Sequence, residues 1–188
     1  MSSQPTLPDY PLDDLRIVSS HEELRAMFHD LRSTLLELVL ERAATVSELA
    51  AAVDRPKSTV AHHVKVLVET GLVQVVRTRR VRAIEERFYG RTARIFYVGK
   101  VTPDQLPLTD NYLTVAAKES TPAHKADTMR AIMRYARIPD DRAAQFWRRV
   151  FDLVNEFSQL PRAGETMYGF VAGLYPTEHP SLPPSAES

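Results

Sequence analysis

Two capped helical segments, the valine- and aromatic-rich stretches directly after them, and renewed helical periodicity toward the C-terminus predict an α+β fold. The expected organisation is a flexible arm over 1–18, a helix-and-hairpin domain over 19–100, a C-terminal helical region over 101–175 and a disordered tail over 176–188. At 188 residues and 44% hydrophobic, the chain can build one core and a packed extension.

The elements follow in order. Pro5, Pro8, Pro11 and the pair Asp13-Asp14 make residues 1–18 read as a loose arm, with Leu12, Leu15 and Ile17 able to dock. This start lacks the charged-then-apolar pattern of a secretory signal, and no apolar run approaches a membrane span, so a cytoplasmic protein without a membrane partner is expected. Ser20 with Glu23 forms a capping box ahead of Leu24, Phe28, Leu31 and Leu35, which recur at helical spacing in one bent helix or two, ending near Arg42. A second box, Thr45 with Glu48, opens a short helix that buries Val46, Leu49, Ala50 and Val53. Asp54-Arg55-Pro56 interrupts, and from Lys57 a longer helix carries Val60, Val64, Leu67 and Val68 to a stop at Gly71.

Strands are expected near 73–78, 83–89 and 94–98, with the arginine-dense stretch 77–82 at the tip of the first hairpin. A connector with a short helix leads to Thr121-Pro122, a helix start whose stripe Met129, Ile132 and Met133 runs to Arg137. Pro139-Asp140-Asp141 begins another helix, bearing Phe146, Val150, Leu153, Val154 and Phe157, and the two form a helical hairpin. Residues 166–175 lean to a strand.

Net charge is zero, but its distribution is not even. Residues 55–100 hold eleven basic side chains against three acidic ones, a local +8 balanced by −8 elsewhere. One basic quarter in a neutral chain suits a polyanion-binding module. A short helix, a three-residue turn, a longer helix and then a hairpin is the order of a helix-turn-helix with a wing. On the second helix, steps of about 100° bring Ser58, His62 and Lys65 to one side, opposite Val60, Val64, Leu67 and Val68. Small hydroxyls and an imidazole reach base edges in a major groove, and the first turn, Lys57, Ser58 and Thr59, offers N–H groups to a phosphate. The plainer alternatives are a solvated helix face and a solvated loop. Arg77, Arg79, Arg80 and Arg82 are crowded enough to favour phosphates or a minor groove; if they alternate across a strand, only one of Arg79 and Arg80 reaches DNA.

The segments Thr45-Val46-Ser47-Glu48-Leu49-Ala50, Ser58 to Leu67 and Thr70-Gly71-Leu72-Val73 resemble the ArsR-type winged helix-turn-helix regulators, and Glu86 to Ala93 resembles their longer-winged branch. The resemblance covers about residues 20–98. It implies a homodimer on an α+β winged-helix core, with Thr59, Ala61 and His62 at base-reading positions and His63 at a frequent family histidine.

The departures exclude some relatives' chemistry. No cysteine is present, so disulfides, thiolate metal sites and cysteine nucleophiles fall away. Of six histidines only His62 and His63 are close, and neighbours on a helix diverge too far to share a metal; neither metal nor cofactor is expected. His63 lies toward the apolar side and reads as packing. No phosphate-binding glycine loop, nucleophile elbow or zinc-protease motif occurs, and no residue pattern supports an enzyme. Met129, Met133, Phe146, Trp147, Phe151 and Phe157 read as core or dimer interface, or alternatively as an effector pocket lined by Met133, Trp147 and Tyr168. The expected partners are double-stranded DNA, a second copy of the chain and a small apolar effector; an RNA-binding or protein-interaction module is the alternative.

Overall fold

The computed structural model describes residues 8–81, 83–161 and 164–180. Strand β1 (Asp13–Val18) leads into helices α1 (His21–Met27), α2 (Asp30–Glu41), α3 (Val46–Ala52) and α4 (Lys57–Glu69). Strands β2 (Val73–Val81), β3 (Ile84–Arg91) and β4 (Ala93–Val98) follow. After a 3-10 turn at Leu106–Leu108 come α5 (Tyr112–Glu119), α6 (Thr121–Lys125) and α7 (Asp140–Gln159). Two compact units result, one reaching Asp110 and including Gln159–Gly164, the other formed by Asn111–Ser158 and the chain from Glu165.

Both capping boxes form. Ser20 Oγ and Thr45 Oγ1 accept from the Glu23 and Glu48 amides at 3.2 Å each, and the two glutamates return bonds to the cap backbones. The first helical segment is two helices, broken at Phe28 and His29. In the first unit Leu24, Leu35, Leu49, Leu67, Leu72, Val18, Val39 and Val60 are fully buried in one core where α1–α4 meet. β2 and β3 pair antiparallel, β1 and β4 parallel.

The expected arm is in part a structural element. Asp13–Val18 pairs with β4 in the register Asp13↔Ala93 to Val18↔Val98, and Val18 is fully buried. Tyr10 is buried too: its hydroxyl donates to the Val39 carbonyl and accepts from the Arg91 amide at 2.8 Å. Prolines signalled looseness, but the partners of these residues lie far along the chain, where local patterning cannot point.

The second unit departs further. The helix expected from Thr121 to Arg137 ends at Lys125, because Asp127 takes a left-handed φ of 55° and residues 126–139 form no regular structure. Among the described residues its apolar stripe is left uncovered, with Ile132 87% and Met133 63% exposed, and most helical stability comes from packing such a face. The helical hairpin is therefore absent, and the strand expected over 166–175 is irregular chain. α7 forms as expected, with its acids at the first turn. Of the expected tail, 181–188 lies outside the described residues and 176–180 has no regular structure.

Candidate nucleic-acid interface

α3 and α4 are joined by Val53 to Pro56, and Asp54 turns the chain with a left-handed φ of 49°. Val60, Val64 and Leu67 hold α4 to the core, leaving Lys57, Ser58, Thr59, Ala61, His62 and Lys65 exposed along one side. Val60 N–H is bonded back to Pro56 at 3.1 Å; the amides before it form the open first turn. Lys65 reaches Glu69 only loosely, at 3.7 Å, so its ammonium remains available to a stronger anion.

The far end of α4 is fixed. Leu72 N–H bonds to Leu67 at 2.9 Å and Gly71 N–H to Val68 at 3.0 Å, with Gly71 at φ 70°, a Schellman ending. The Arg16 guanidinium from β1 donates to the Gly71 and Thr70 carbonyls and pairs with Glu23 at 2.7 Å. A cation at the negative end of the helix tethers α4 to β1 and α1 together.

His63 turns away from its neighbour's side. Its Nδ1 sits 3.3 Å from Arg32, and its ring is 4.8 Å from that of His29. Arg32 in turn donates to the Ala26 and Arg25 carbonyls at 2.8 and 2.7 Å, closing α1. Burial, then the adjacent His29, Arg32 and His62, hold the His63 pKa below the usual imidazole value. This places His63 against α2, apart from the exposed row that contains His62.

In the β2–β3 hairpin, Arg77, Arg79 and Arg80 lie within strand β2, before the turn at whose tip the sequence had put them. A bulge at Val76 shifts the register from Val75↔Tyr89 to Arg77↔Phe88. Arg77 and Arg79 consequently cover the Phe88 ring, at 4.6 and 5.4 Å, and are paired at 2.6 Å with Asp9 and Glu86. Asp9 also accepts the Ala43 amide at 2.7 Å; burial works against its charge, but that bond and Arg77 outweigh it and lower its pKa. Arg80 and Arg87 are exposed on the opposite face. Arg82 lies outside the described residues.

Residues 29–76, spanning α2 to the start of β2, match the family model of a helix-turn-helix domain. The domain is a winged helix-turn-helix. The hairpin is its wing and α4 its second, exposed helix. The ArsR-type resemblance is thus borne out as a winged helix-turn-helix. No curated protein matches the chain. Among solved structures it is similar to HlyU from Vibrio cholerae, at 26% identity over 38% of this chain and 73% of that one, with a TM-score of 0.32. It is also similar to the homodimeric winged helix-turn-helix DNA-binding domain Mb0332 from Mycobacterium bovis, at 18% identity over 53% and 78% of the two chains, TM-score 0.32. The transcriptional repressor BigR from Xylella fastidiosa gives 21%, 57%, 85% and 0.30 for the same quantities. The assignment rests on the family-model match and on the chain's own geometry.

Several residues that shape this winged helix-turn-helix escaped sequence reading. Asp9, Tyr10 and Arg16 come from the presumed arm, where the sequence marks only Leu12, Leu15 and Ile17 as able to dock. Arg87 counts in the basic stretch and in the longer-wing resemblance, but not among the candidate contact residues. In the second unit, Met133 is 63% and Tyr168 73% exposed, while Trp147 is half-buried. Among the described residues no three His, Asp or Glu side chains gather as a metal site, and no helix is long and apolar enough to cross a membrane.

Proposed function

We propose that this chain is a sequence-specific, DNA-binding transcriptional regulator that acts as a homodimer. The observation that carries the reading is α4: its apolar side is locked into the core while Ser58, Thr59, Ala61, His62 and Lys65 form an unburied row of small and hydrogen-bonding groups beside a basic wing. Such a row fits a major groove about 12 Å wide. Lys57 and Lys65 flank it with charge for phosphates.

Dimerisation is supported by the second unit. Among the described residues none of its side chains is buried, yet it exposes Phe146, Leu153, Met167, Tyr168 and Phe170. Apolar surface on that scale marks an interface. A second chain is its occupant in this reading, with the α7 stripe at the centre; a small apolar effector held by Met133, Trp147 and Tyr168 would act on the same region. The test is selection of bound genomic fragments by the purified protein, followed by His62→Ala. Recovered sites should be palindromic, and the variant should lose about 1 to 3 kcal/mol on them while binding random duplex nearly as before. Equal losses on both, or capture of RNA in preference to duplex DNA, would refute it.

A further inference from the structure

The two faces of the wing are electrically different, and the geometry points to Arg80 and Arg87, not Arg77 and Arg79, as the arginines that contact a polyanion backbone. The inference rests on the DNA-binding reading and deepens it by assigning the contact face.

The Val76 bulge sets the division. In an uninterrupted ladder, residues of even number in β2 would share the face of Phe88; past the bulge the odd ones do. Arg77 and Arg79 therefore land on Phe88, where stacking and an acid apiece, Asp9 and Glu86, already satisfy them. A phosphate taking either guanidinium would have to break a 2.6 Å pair and would meet the released carboxylate at close range. On that face the charge of both guanidiniums is already matched.

The other face is the reverse. Thr78 stands opposite Arg87 and Arg80 opposite Glu85, so the two arginines are diagonal neighbours across the ladder. Both are exposed, and among the described residues neither has an ion-pair partner. The contrast within β3 is informative: Glu86 closes on the arginine across from it, while Glu85, in the equivalent cross-strand position, does not. Two unpaired like charges held side by side with a hydroxyl next to them make a phosphate cradle; a neutral donor fixes position and the guanidiniums supply charge.

Arg79 and Arg80 are adjacent and chemically identical, which makes them each other's control. Affinity for a mixed-sequence duplex is measured against salt for the full-length wild type and for Arg79→Gln, Arg80→Gln and Arg87→Gln, all at exposed positions, with circular dichroism verifying the fold. Arg80→Gln and Arg87→Gln should each flatten the slope of log K against log salt by about 0.9, and Arg79→Gln should leave it unchanged. A slope lowered by Arg79→Gln but not Arg80→Gln, or equally by both, overturns the assignment. Three unchanged slopes on a steep wild-type dependence overturn it while the regulator reading stands, and a wild type that binds no duplex overturns both.

Discussion

The contact between Gly90 and Tyr10 yields a prediction that changes sign with its background. A Cβ added at Gly90 would lie 2.5, 2.6 and 2.9 Å from Tyr10 ring carbons, where carbon atoms normally rest about 3.5 to 4.0 Å apart. The ring cannot swing aside cheaply, because its hydroxyl is held by Val39 on one side and by the Arg91 amide on the other. Overpacking of this kind costs about 1 to 3 kcal/mol and a lost hydrogen bond about 1 more. Replacing a strand glycine by alanine returns roughly 0.5 to 1 kcal/mol. Gly90→Ala should therefore destabilise the first unit by about 1 to 3.5 kcal/mol. In a Tyr10→Ala chain, already weakened by about 3 kcal/mol or more, the ring is gone and the same substitution should stabilise by roughly 0.5 to 1 kcal/mol. Urea unfolding followed by far-ultraviolet circular dichroism, with hydrogen exchange at the Arg91 amide, reads the effect; the single tryptophan, Trp147, sits on α7 in the other unit. If Gly90→Ala has the same effect in both backgrounds, the account of Tyr10 as a fixed wedge is wrong.

Two more outcomes follow from the helix-turn-helix itself. Thr45 is buried and caps α3, so Thr45→Val, which keeps its volume but not its acceptor, should cost about 1 to 2 kcal/mol in a thermal melt. For His63, the depressed pKa means that the unfolded chain takes the proton first, near 6.5, so stability should fall as pH drops through that value toward the lower folded one and then level off. His63→Gln should remove this part of the slope below about pH 7, measured by denaturant midpoints, and an unaltered slope would assign it elsewhere.

How far the sequence could be read depended on the range of the interactions. α3 and α4 were legible because caps and apolar spacing act within a few residues: Thr45 meets Glu48, and Val60, Val64 and Leu67 share a side. Tyr10, Asp9 and Arg16 were not, since Val39, Arg77 and Gly71 lie tens of residues away and nothing near the arm announces them. The wing arginines were seen as a cluster, but their division into two faces hangs on the single extra residue at Val76. Over 126–139 the pattern looked helical, yet periodicity presupposes a surface to pack on, and Ile132 and Met133 find none among the described residues. Their exposure is what supports a second chain there.

The parallel pairing of β1 with β4 also orders events in time. Val18 and its partner Val98 are 80 positions apart, so at roughly 5 to 20 residues per second β1 waits about 4 to 16 s on the ribosome for the strand it will join. The helices between them need only near neighbours and can collapse meanwhile. During that interval a strand bearing Leu15 and Ile17 travels with an unpaired edge, the kind of segment that recruits other chains. Asp13 and Asp14 at its start and Pro11 just before it supply charge and kink, the features that keep such an edge from pairing in the wrong company. β1 is thus made before the helices that follow it but seated after them, and a nascent chain stalled before residue 93 would carry a finished α3 and α4 on a domain still open at β1.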